Sequence, residues 1–132
     1  MALWAGAIVG LSFIATPVKF QAPHLTMPVA LEVGRSTFAV FSNVELGFLI
    51  AIVIAAAFAR PRRITAILLS AVAVQLLLER WWLLPELDAR LSHILAGGAV
   101  TFTAAHWIYA VFDACTTALL ICAAATVTRK PV

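Results

Sequence analysis

The sequence predicts an all-α integral membrane protein, a four-helix bundle with both termini in the cytoplasm. Three observations carry this: 64% of residues are hydrophobic and 11% charged, there are four apolar runs near the length of a bilayer crossing, and arginines gather at one set of their ends. A soluble domain is roughly half apolar and about 25% charged, so water is not the expected solvent. The mean hydropathy of +1.04 says the same. A crossing takes about 20 residues at a rise of about 1.5 Å. The 132 residues therefore hold about four crossings with their loops, as a single transmembrane domain with no soluble one beside it.

The first helix is expected over about 2–18. Met1 to Gly10 carries no Lys or Arg, so the run lacks the basic region of a secretory signal and is retained as a helix. The second helix is expected over about 28–59, with Thr26 as a cap and Pro28 in the first turn, stopped by Arg60, Pro61, Arg62 and Arg63. A third, over about 64–84, closes at Pro85. The segment 86–96 is polar on one side and reads as an interfacial helical turn ended by Gly97 and Gly98. The fourth spans about 100–127 and stops at Arg129 and Lys130.

With four crossings, the Arg60 to Arg63 loop and the Arg129–Lys130 tail share a side, which the positive-inside rule makes cytoplasmic. A bacterial inner membrane is the expected location. Trp81, Trp82 and Trp107 then fall near the outer interface and Trp4 near the inner one. The net charge of +3 is spread in ones and twos around apolar runs, which excludes a nucleic-acid-binding face. Continuous, alanine-rich runs exclude barrel strands, which must alternate. Cys115 and Cys122 stand seven apart without CxxC spacing and are expected to be buried, inert thiols.

An ionisable residue in hydrocarbon costs about 2.5 to 3.5 kcal/mol, so each one needs a partner or a purpose. At about 100° per residue, Arg35, Ser42 and Glu45 share one face of the second helix, and Gln75, Glu79, Trp82 and Glu86 share a stripe on the third. On the fourth, His106, Tyr109, Asp113, Thr116 and Thr117 fall together. Facing inward, these stripes meet in one outer-half pocket. Glu45, Glu79, His106 and Asp113 are its candidate catalytic groups, and Arg35, Gln75, Arg80, Trp82, Trp107 and Tyr109 its candidate ligand-binding groups. Asp113 is expected to lie deepest and to need Arg35, Arg80 or a bound cation to compensate its charge. His24 and His93 fall in outer, solvated segments.

Four readings of the pocket stand open. In the plainest, the polar groups pair as interhelical glue, Glu45 with Arg80 for example. In the second, the carboxylates and histidine bind or transport a small cation, a metal ion or a proton, the metal being unspecified. Four helices enclose little pore volume, so a transporter would be a homo-oligomer in the lipid bilayer. The third is an acid–base enzyme acting on a lipophilic small molecule, an isomerase, cyclase or epoxide-opening type, with Asp113 or Glu79 as acid and His106 or Glu45 as base. The fourth is an accessory subunit of a membrane complex. The chain has no HExxH, glycine-rich phosphate loop or GxSxG, and only His106 with His93 could offer haem ligands, so no cofactor is named.

The order of features resembles the small four-helix membrane proteins typified by transmembrane protein 205. The first helix closes on Phe20 with Ala22-Pro23 behind it, the third closes on Arg80-Trp81-Trp82-Leu83-Leu84-Pro85, and the fourth opens with His106. That family places Ser three residues and Asn seven residues after its His, where this chain has Tyr109 and Asp113. The resemblance implies the fold rather than an activity.

Overall fold

The computed structural model describes residues 1–98 and 104–128, with side chains in the last helix from 107 onward. Among these residues it is all-helical, and four helices are long and apolar enough to cross a membrane. They are α1 (Ala2–Lys19), α2 (Met27–Ala59), α3 (Arg63–Leu95) and α4 (Ala104–Thr128). The expected start at Val100 and the Arg129–Lys130 tail lie outside the described residues.

Pro85 does not end the third helix. Proline lacks an N–H and its ring clashes with the carbonyl four residues back, which here is Trp81. The chain meets this by widening over Glu79–Leu83 into a π turn, where the Leu84 N–H reaches the Glu79 carbonyl, and then continues to Leu95. The expected interfacial segment 86–96 is therefore a continuation of α3. Pro17 is accommodated the same way by a π stretch over Val9–Ala15. The Thr16 hydroxyl donates to the Leu11 carbonyl at 2.9 Å, satisfying an oxygen at the widened turn.

Thr26 holds the N-cap position of α2 in extended backbone and Pro28 follows in the first turn, but the threonine side chain makes no capping hydrogen bond. Arg60 closes α2 in the left-handed region at φ 46, donating its N–H to Ala56. Gly97, at φ 93, ends α3, a conformation that a Cβ would strain.

The α2–α3 loop and the last turn of α4 meet at one end of the bundle. Arg62 donates to the Thr126 carbonyl at 3.3 Å, and the Thr65 and Thr126 hydroxyls lie 2.9 Å apart. A cation at a helix C-terminus complements its carbonyl end. At the opposite end Lys19 of α1 lies over the Phe38 ring of α2 at 5.7 Å.

The core is narrow and built from one stripe per helix: Trp4, Ala5 and Ile8 of α1, Phe41 and Leu49 of α2, Val72 and Leu76 of α3, and Leu120 of α4. Trp4 stacks on Phe48 at 5.9 Å between centroids. Many other large apolar side chains, among them Phe13, Ile50, Phe58, Ile67, Val74, Val111 and Ile121, point outward. Such an apolar exterior suits lipid rather than water. Cys115 and Cys122 also face outward, against the expectation of burial. The buried face of α4 carries Tyr109, Asp113, Thr116, Leu120 and Ala123. Each cysteine stands one residue, about 100°, off that face.

Candidate functional site

The carboxyl-bearing stripes occupy the same faces as the core. Glu45 is 1% exposed, Glu79 2% and Asp113 1%. Counted at 1.5 Å per residue, Glu45 stands about 21 Å from Ala59, Glu79 about 24 Å from Arg63 and Asp113 about 22 Å from Thr128. All three therefore share one level of the bundle within a helical turn, and Asp113 is not markedly deeper than the others. Asp113 lies close enough to act electrostatically on Glu45, and both of these on Glu79.

Among the described residues each acid also has neutral neighbours. Trp4 Nε1 donates to Glu45 Oε1 at 3.1 Å. Tyr109 and Glu79 approach side chain to side chain, and Tyr109 packs on Phe38 at 4.7 Å between ring centroids. Ser12 lies close to Asp113 without completing a hydrogen bond. Among the described residues, Glu45 Oε2, Glu79 Oε1 and both Asp113 oxygens are buried without a hydrogen-bond partner, as are the hydroxyls of Ser12 and Thr117. Among the described residues the ion pairs are Arg35–Asp88 and Arg90–Glu86, so none reaches the three acids.

Several candidate residues lie elsewhere. Arg35 stands ten residues, about 15 Å, along α2 from Glu45, beyond the reach of its side chain, and pairs with Asp88. Arg80 turns to the outer surface, where it donates to Ser42 Oγ at 3.1 Å and Asn43 Oδ1 at 3.0 Å rather than to Glu45. Trp82 is 55% and Trp107 70% exposed, so both rings sit on the outside of the bundle. The π turn adds a residue ahead of Glu86 and rotates it about 100° from its expected face. Glu86 accordingly pairs with Arg90 on the surface. Gln75 donates to the Phe112 carbonyl and lines an outward groove of about 490 Å³ between α3 and α4. The side chain of His106 lies outside the described residues. His24 and His93 are exposed.

Trp4 and Ser12 join the site without being among the residues that charge singles out. Both are neutral, and Trp4 carried the expectation of an interfacial ring. Their signal was the spacing of Trp4, Ile8 and Ser12 at i, i+4 and i+8, which is one helical face.

The Arg35–Asp88 pair is half-exposed, with side chains 44% and 45% accessible. Exposed pairs contribute about 0 to 1 kcal/mol, so Arg35→Gln should lower stability by no more than about 1 kcal/mol in a detergent denaturation series. A loss several times larger would show that Arg35 supports the buried acids after all.

No family model matches the chain, and neither does any curated protein or solved structure. Fold and site together define a class: a four-helix bundle with an apolar exterior and buried carboxyls that have no cationic partner among the described residues. Among the described residues no three His, Cys, Asp or Glu side chains are grouped to hold a metal ion. Carboxyl groups in such surroundings can take up and release protons.

Proposed function

We propose that the protein is a multi-pass membrane protein, of a bacterial inner membrane, that binds a proton or small cation at Glu45, Glu79 and Asp113 and moves it across the bilayer as a homo-oligomer. The observation that carries this is the burial of three carboxyls with open oxygens and no cationic partner among the described residues. Three bare negative charges cannot persist together in a low-dielectric interior, so protons or a cation must neutralise them. A proton is the favoured cargo, because it needs no cage of ligands. The resemblance to the transmembrane protein 205 type supports the fold and assigns no activity.

Neither the α3–α4 groove nor a second one between α2 and α3 is lined by any of the three acids. That favours this reading over acid–base catalysis on a lipophilic substrate, in which acid and base must line the substrate cavity. Proteoliposomes containing the purified protein should dissipate an imposed pH gradient faster than empty ones. An unchanged rate under both signs of membrane potential, with inorganic monovalent cations supplied, would remove the transport reading.

In the proposed orientation the loop bearing Arg60, Arg62 and Arg63 faces the cytoplasm and the segment around Gln21 faces out. A cysteine introduced at Pro61, in a background with Cys115 and Cys122 replaced by alanine, should resist an impermeant thiol reagent in intact cells. One at Gln21 should be labelled. The reverse pattern would invert the topology.

A further inference from the structure

Three arginines stand on the outer part of the bundle, and two have carboxylate partners: Arg35 holds Asp88 and Arg90 holds Glu86. Among the described residues the third, Arg80, is matched only by the neutral oxygens of Ser42 and Asn43. A guanidinium has five N–H donors, and these two bonds leave three free. The donors open onto a crevice of about 330 Å³ between α2 and α3, lined by Ala39, Ser42, Asn43, Arg80, Trp81 and Leu84. The crevice is open to the outside of the bundle, and Trp81 beside it is 74% exposed.

Depth restricts what can fill it. Asn43 lies six residues, about 9 Å, below Thr37, where the apolar run of α2 begins. Ser42 and Asn43 hold the guanidinium at about its own level on the bundle, and tryptophan favours the neighbouring interfacial zone. An uncompensated cation there calls for an anion, and the planar fork of arginine suits a phosphate oxygen pair. Access from the side, past Trp81 and Leu84, suits a molecule already in the leaflet.

We propose that the Arg80 crevice binds the phosphate of an anionic phospholipid, with Asn43 and Ser42 orienting the guanidinium and Leu84 and Trp81 flanking the upper acyl chain. The site is separate from the carboxyl cluster and does not depend on transport.

The test uses purified, delipidated full-length protein in a neutral detergent, titrated with phosphatidylglycerol, phosphatidylcholine or inorganic phosphate and read by native mass spectrometry and thermal denaturation. Wild type should retain one phosphatidylglycerol and gain thermal stability. Arg80→Gln should bind it about tenfold more weakly, the loss of one charge-assisted contact. Ala39→Trp, which fills the crevice and leaves the arginine in place, should lose the same lipid, so the outcome does not hang on the folding of one variant. Arg35→Gln should keep it. Equal retention of phosphatidylglycerol by wild type, Arg80→Gln and Ala39→Trp would overturn the proposal. So would equal stabilisation by inorganic phosphate, which would make this a free-anion site, or by phosphatidylcholine, which would make it an acyl-chain site.

Discussion

Asp113→Asn should abolish proton or cation flux in proteoliposomes, down to the rate of empty vesicles, while leaving the protein as stable as wild type or more so. Asp113 is 1% exposed and both its oxygens are without a hydrogen-bond partner, so among the described residues its charge gains no compensating bond. An amide of the same shape never has to be neutralised by a proton or cation, which relieves the fold of the cost of a buried ionisable group and offsets the burial of its N–H donors. It also removes the one chemical property the carboxyl has that the amide lacks, the ability to take up and release a proton or to balance a cation. Structural glue would survive the change; a carrier would not. Thermal denaturation in detergent and flux on the same preparation separate the two. Flux retained in the Asn variant would take Asp113 out of the mechanism and move the weight to Glu45 and Glu79.

Charge made the site visible in sequence. A carboxylate in an apolar run is costly enough to mark the inward face of its helix, and Glu45, Glu79 and Asp113 marked three such faces. The fourth contribution was silent because α1 brings only Trp4 and Ser12, and a neutral side chain carries no such penalty. Periodicity failed where the helix itself departs from 3.6 residues per turn. The widening over Glu79–Leu83 carries the chain past Pro85 and turns Glu86 outward, and the rule that proline stops a helix hid both effects. Helical phase and charge complementarity place Arg35 beside the acids, and charge complementarity alone places Arg80 there. Rise along the axis decides Arg35, which is about 15 Å too far along α2, and the direction of the side chain decides Arg80. Cys115 and Cys122 were judged from the habits of cysteine in water-soluble cores, where burial is the rule. In a bundle with an apolar exterior a small thiol faces outward at no such cost.

Trp4→Ala should be the most destabilising single change in α1, at about 3 kcal/mol or more. The ring is fully buried, anchors the core cluster, stacks on Phe48 and bonds Glu45 across two helices. Truncation leaves a cavity where α1 meets α2 and strips Glu45 Oε1 of its donor. Trp4→Phe divides these effects, because it keeps most of the packing and removes only the indole N–H. Leaving a buried acceptor without its donor costs about 1 to 3 kcal/mol, so the Phe variant should fall between wild type and Ala. If that cost comes from the charge on Glu45, adding Glu45→Gln to Trp4→Phe should restore part of the loss, and the double-mutant cycle measures the coupling directly. Phe as stable as wild type would mean that the Trp4–Glu45 bond adds nothing to the fold. An Ala variant within about 1 kcal/mol of wild type would mean that α1 closes over the gap, and that its place beside the carboxyl cluster is held by the α1–α4 contact instead.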